Sequence, residues 1–294
     1  MKISELGELD LIRRLGRITG DEHLGDDTAV LPGISSSKDM ILTTDALVEG
    51  VHFLSNTVPE LVGRKAVARV LSDFASMGAS PLWFLVNLAL PANMEADQVE
   101  TAYEGIRTLL EKTGGSLVGG DVTQSEQYQF HVFGVGEVAK GTALRRSTAK
   151  VYDTIYVTGV LGDSFASGHH LEFSPRLDEG KWLIGKANSC IDLSDGLGTD
   201  LRHLLQESGF SAQIDLDHIP CRGSLEQAFS DGEDFELCFT SSQPDLENAW
   251  PFETRLTRIG TVIVSEDENH GHLQNLGGDA IDAEGFAHFE KRSR

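Results

Sequence analysis

Apolar runs in this chain repeatedly stop at an aspartate. Residues 40–44 (MILTT) lead into Asp45, residues 116–120 (SLVGG) into Asp121, and the segment CIDLSD carries Asp192 and Asp195. Such runs read as short strands, and ligand crevices tend to form past the carboxyl ends of strands. A chain patterned in this way has to alternate strands with helices and deliver acids to the strand ends. Glycine accompanies the acids, as in Gly25-Asp26-Asp27, Gly120-Asp121, Gly162-Asp163 and Asp195-Gly196.

The remaining periodicity agrees. Helical spacing covers 61–77 (Val62, Ala66, Val70, Met77), 95–112 (Val99, Tyr103, Ile106, Leu110) and 197–205. Gly114-Gly115 and Gly209 end two of these helices. Strands are expected over 83–90, 116–118, 130–138, 154–158, 190–193, 212–216, 235–240 and 258–264. The unbroken apolar run 83–90 predicts a buried strand. A soft connector over 140–153 divides the chain, so the expected fold class is α+β, with two mixed α/β domains spanning 1–140 and 150–294.

Charge narrows the function. Forty-six acids against 24 bases give a formal charge of -22. Such a chain repels nucleic-acid phosphates and anionic membranes, and no apolar run is long enough to span a bilayer. The start MKISELGELD has no signal-peptide core. Three cysteines without a C-x-x-C pair read as reduced thiols of a cytosolic protein. No P-loop, G-x-G-x-x-G or G-x-S-x-G motif stands in the sequence, so a bound nucleotide would have to be held through metal-bridged phosphates.

Asp73 falls on the apolar stripe of helix 61–77, where an acid is costly without a compensating partner. Two carboxylates about 4 Å apart repel by roughly 4 kcal/mol at an effective dielectric near 20. Bases near these motifs are few: Lys65, Arg69, Arg145 and Arg146. Oxygen ligands, with the Thr43 and Thr44 hydroxyls beside Asp45, suit Mg²⁺. The spacing leaves open whether the acids share a metal cluster or serve separately as caps and surface charges. Asp195 can N-cap the helix after it, and that helix start, with Ser194, can offer N–H groups to a phosphate.

Eight motifs then stand in order: GDDTAV (25–30), TTDALVEGVHF (43–53), LSDFASMGASP (71–81), GGD (119–121), RRS (145–147), VTGVLGDS (157–164), IDLSDGL (191–197) and GEDFELCF (232–239). With them the chain resembles, over nearly its whole length, the thiamine-monophosphate kinases of the aminoimidazole ribonucleotide synthetase-like superfamily. The resemblance implies ATP-dependent phosphorylation of thiamine monophosphate to thiamine diphosphate by a cytoplasmic homodimer. It gives residues 1–140 the roles of binding ATP and Mg²⁺ and of dimerising, with the nucleotide near the dimer interface. It implies several Mg²⁺ ions on Asp27, Thr43, Thr44, Asp45, Asp73, Asp121, Asp192 and Asp195. ATP contacts would come from Gly120, Asp121, Arg146 and Ser194, and substrate contacts from His52, Glu233 and Phe286. Asp45, Asp121 and Arg146 would be catalytic. The chain departs from the family in having Asp231 where the family often has glycine before Gly232-Glu233-Asp234.

Overall fold

Alternating side chains shape the first sheet. In the computed structural model, which describes residues 29–32, 36–265, 270–282 and 285–286, it comprises β1 (Ala29–Pro32), β2 (Lys38–Val48), β3 (Ser80–Leu90), β4 (Ser116–Gln124) and β5 (Gln129–Ala139). The order is β1-β2-β5-β3-β4, with β3 and β4 parallel and the other neighbours antiparallel. In β3, Phe84, Val86 and Leu88 are buried, whereas Trp83, Leu85 and Asn87 are exposed. This corrects the expectation of a strand buried throughout: the described helices cover one face of the sheet, so along 83–88 every second residue is enclosed. β2 and β4 also run past Asp45 and Asp121, which lie inside strands and not at their ends.

Helices α1 (Pro59–Ser76) and α2 (Ala96–Thr113) cover the buried face. Proline at the first helical position starts α1, where its missing N–H costs nothing. Gly114 closes α2 in the left-handed conformation, its N–H returning to the Leu110 carbonyl. The helices cross through glycines. A Cβ on Gly63 would lie 1.8 Å from the Ala102 carbonyl oxygen, and one on Gly105 would lie 2.0 Å from that of Glu60. Gly105→Ala must therefore separate the helices and should cost about 1–3 kcal/mol. That appears as a lower urea midpoint at unchanged slope; an unshifted midpoint would mean that the crossing is not tight.

The second sheet holds β6 (Thr154–Thr158), β7 (Ser189–Asp192), β8 (Ser211–Ile214), β9 (Leu237–Ser241), β10 (Leu256–Ile263) and β11 (Leu273–Asn275), in the order β11-β8-β10-β6-β9-β7. Around it lie α3 (His169–Glu172), α4 (Leu177–Leu183), α5 (Leu197–Ser208), α6 (Leu225–Ser230) and α7 (Leu246–Ala249). All but α5 are too short to show a stripe in the sequence. One core is centred on α5 through Leu197, Leu201, Leu204 and Leu205. The other does not stop at the connector: Leu71 and Phe74 of α1, with Met77 just past its end, share it with Leu177, Leu183, Phe235 and Leu237. Gly180 lets α4 approach, since a Cβ there would lie 1.9 Å from the Ala75 carbonyl oxygen. α1 is thus common to both halves, and this brings β2 and β7 to its two sides. No described helix is long and apolar enough to cross a membrane.

Candidate active site

α1 gathers the aspartates. Register places Thr43 opposite Gly134 and Asp45 opposite Val132, on the helix-covered face of the sheet. Thr43 Oγ1 donates to Asp73 Oδ2 at 2.5 Å. One turn earlier on α1, Arg69 holds Asp45 with its planar fork, Nε to Oδ2 at 2.6 Å and a terminal nitrogen to Oδ1 at 2.9 Å. Ser72 Oγ donates to Asp192 Oδ2, at the end of β7, at 2.7 Å. Burial pushes Asp73 well above the usual carboxylate range, and Asp192 and Asp45 push it further. Burial likewise raises Asp192, against the Ser72 bond and the Arg146 charge.

A further acid joins them. Asp200 of α5 is buried and accepts from the N–H groups of Asp195 and Gly196 at 3.0 and 3.1 Å. Burial lifts it well above its ordinary value, followed by the charges of Asp195 and Asp192. The sequence held a signal for it: Asp200 shares a helical stripe with Leu197, Leu201 and Leu204, as Asp73 does with its own apolar neighbours. The charges therefore run in a chain: Asp45 and Asp192 act on Asp73, Asp45 acts on Asp192, and Asp192 and Asp195 act on Asp200. Among the described residues, however, no group of three or more Asp, Glu, His or Cys side chains is arranged to hold a metal ion.

Beside this cluster lies a cavity of about 580 Å³. Its lining includes His52, Ser194, Asp195, Glu233 and Phe286, together with Arg69, which joins it to the aspartates. His52 Nδ1 accepts from the Val48 N–H at 3.0 Å, so the neutral ring keeps its proton on Nε2. Phe286 is tied in by its backbone N–H, which donates to the Asp195 carbonyl at 2.8 Å. Glu233 follows Gly232 into the left-handed region, at φ 56° and 71° respectively. A Cβ on Gly232 would also lie 2.6 Å from the Ser194 carbonyl oxygen.

Burial alone would raise Glu233, but His170, Lys65 and Arg69 hold it down at about 2. A carboxylate depressed from 4.5 to about 2 adds stability that is fully present above pH 4.5 and lost as the pH falls through the folded value. The stake is about 3 kcal/mol. Glu233→Gln should therefore be less stable than wild type near neutrality, with the gap closing as the pH drops from 4.5 toward 2. A gap that stays constant in acid denaturation series would contradict this.

Other expected residues stand apart. Thr44 turns to the opposite face, where its Oγ1 donates to the Val132 carbonyl at 3.0 Å. Asp121 is exposed on β4; its row runs through Asn87 and His131 to Ala46. It is thus on the face away from Asp45 and three strands from β2, roughly 14 Å at about 4.8 Å per strand. A Cβ on Gly120 would lie 1.9 Å from the Val86 carbonyl oxygen, so strand pairing already requires glycine there. Asp195 does not cap α5: Gly196 is the cap residue and makes no side-chain capping bond. The amides of Asp195 and Gly196, expected to await a phosphate, are taken up by Asp200. Asp27 lies outside the described residues.

Two sheets thus share one helix, with buried acids at the junction. The sequence profile of "AIR synthase related protein, N-terminal domain" matches residues 25–138. Thiamine-monophosphate kinase of Aquifex aeolicus is 33% identical over 98% of this chain and 100% of its own. That of Escherichia coli K12 is 35% identical over 96% and 98%. The solved structure of AaThiL complexed with AMPPCP and TMP superposes with a TM-score of 0.88 at 32% identity, covering 98% of this chain and 99% of the other. The chain belongs to the thiamine-monophosphate kinase family.

Proposed function

We propose that the chain performs the reaction for which its family is named, transfer of the γ-phosphoryl group of ATP to thiamine monophosphate, giving ADP and thiamine diphosphate. The observation that carries this reading is the single cavity lined by His52, Glu233 and Phe286, joined through Arg69 to the buried aspartates. The attacking atom is a phosphate oxygen, already anionic, so no general base is needed. The obstacle is charge: two anions must meet inside an acidic protein, and catalysis rests on positioning and electrostatics.

The donor set is all oxygen, the chemistry Mg²⁺ takes, and Asp73 is raised by Asp192 and Asp45, as an acid lacking a shared cation is; the described acids would have to draw together around an ion. Thr43, Asp45, Asp73 and Asp192 would hold the ions, with Asp195 as an outer candidate; Thr44 and Asp121 face away from that cluster. Bound there, Mg²⁺ would supply charge neutralisation for the phosphates. Arg146, whose charge already acts on Asp192 and Asp200, clamps phosphate oxygens of the nucleotide beside Ser194. His52 donates from Nε2 to the substrate, Glu233 accepts from the aminopyrimidine, and Phe286 covers a ring.

In this reading residues 1–140 carry the nucleotide and metal and form a homodimer. Support comes from the β3–β4 edge, where Trp83, Leu85, Leu117, Val118 and Val122 are exposed. Gly120 and Asp121 lie on that same edge strand, so they would meet the nucleotide near the interface. Residues 150–294 bring Glu233 and Phe286 to the substrate side, beside His52 of the first half. One assay tests the function: incubation with ATP, Mg²⁺ and thiamine monophosphate, followed by chromatography. ADP and thiamine diphosphate in equal amounts are expected; their absence overturns the reading. Sedimentation at micromolar concentration tests the dimer.

A further inference from the structure

Lys65 is fully buried on α1, a position lysine almost never takes unless paired. Its ammonium has three protons: the His52 carbonyl accepts at 2.6 Å and Glu233 Oε1 at 2.8 Å, and His170 Nδ1 lies 2.7 Å away. These three groups come from separate places, the turn after β2, helix α3 and the loop before β9. His52 and Glu233 line the cavity, whereas Lys65 itself does not. The Glu233 loop is strained, with Glu233 and Phe235 both at positive φ, 56° and 50°. Such backbone persists only where its surroundings hold it. No bond of Lys65 reaches Gly120, Asp121, Arg146 or Ser194, the residues expected to meet the nucleotide.

We propose that Lys65 is a positioning residue for the thiamine-phosphate side of the cavity: its ammonium ties the His52 turn to the Glu233 carboxylate and so sets the spacing of two walls without touching the substrate. This rests on the cavity being the thiamine monophosphate site. The charged and titratable groups facing Lys65 are Glu233, His170, Asp45 from β2 and Arg69 from its own helix. Burial, opposed by Glu233, lowers Lys65 to about 8. Above that pH the tie loses its charge, and the two walls lose their common anchor.

The test uses full-length Lys65→Met and Lys65→Arg. Calorimetry measures thiamine monophosphate binding without nucleotide, and kinetics give KM for each substrate. Lys65→Met should weaken thiamine monophosphate binding and raise its KM tenfold or more, with KM for ATP within twofold of wild type. Lys65→Arg, which keeps the charge, should recover part of the affinity and lose the alkaline decline. Equal rises in both KM values, or a lowered melting temperature with thiamine monophosphate binding intact, would overturn the proposal. If Lys65→Met does not fold, wild-type binding decides between pH of about 7 and 9.5: weakening centred near 8 supports the role, and a flat profile rejects it. Wild-type turnover is followed in parallel. Its absence would remove the functional reading as well, whereas turnover with a wild-type-like Lys65→Met removes only the role of Lys65.

Discussion

Asp73→Asn should make the metal-free protein more heat-resistant while cutting turnover on the order of a hundred- to a thousandfold, the range seen when one charge-stabilising group is lost from an active site. Both effects follow from one placement. Asp73 lies on the otherwise buried stripe of α1, and burial, Asp192 and Asp45 all raise it. Asparagine keeps an oxygen for the Thr43 hydroxyl, now 2.5 Å away, and removes the charge. Because the folded value is raised, the folded state binds the extra proton. The resulting destabilisation is absent in acid and grows as the pH rises from the ordinary value through the folded one. In EDTA the variant should therefore melt above wild type at neutral pH, with the difference vanishing in acid. Mg²⁺ should reverse the order: a ligand at a hundred times its Kd stabilises by about 2.7 kcal/mol, and wild type gains this more fully than the variant. A variant that melts lower in EDTA, or responds to Mg²⁺ as wild type does, would remove Asp73 from the site.

The period of a strand explains what the sequence revealed and what it hid. Helix stripes exposed α1 and, on it, the costly Asp73, because an acid among Ala66, Val70 and Met77 is visible one turn at a time. The triplet Thr43-Thr44-Asp45 reads as one unit in the sequence, yet side chains alternate along a strand. Thr43 and Asp45 face α1 while Thr44 faces away, and only knowledge that β2 continues to Val48 reveals this. The face that Asp121 takes is hidden for the same reason: its parity on β4 follows from a register through β3 and β5 that no local pattern encodes. His52 and Glu233 stand in motifs, and Phe286 follows from the resemblance alone. The ammonium that joins the first two was only a nearby base, since Lys65 and Glu233 meet across 168 positions of sequence.

Arg69→Met should lower stability by about 2–3 kcal/mol, at or below the low end for breaking a buried pair because Asp45 keeps some contact with water. The Arg69 side chain is 11% exposed and that of Asp45 26%. Methionine keeps an apolar stem but loses the guanidinium that stands 5.9 Å over the Phe235 ring, and it strands Asp45 without its fork. At about 2–4 °C per kcal/mol, melting should fall by roughly 5–10 °C. Asp45→Asn alone leaves a guanidinium without its carboxylate. The double variant removes both charges, so it should be more stable than the sum of the single losses predicts, with a coupling of about 1–3 kcal/mol. Mg²⁺ sharpens the comparison. In metal-free buffer Arg69 is the cation bonded to Asp45; with Mg²⁺ on the neighbouring acids, the deficit of Arg69→Met should shrink. A zero coupling energy would mean that the two side chains meet without holding each other. A deficit indifferent to Mg²⁺ would mean that the acids beside Arg69 do not share a cation with Asp45.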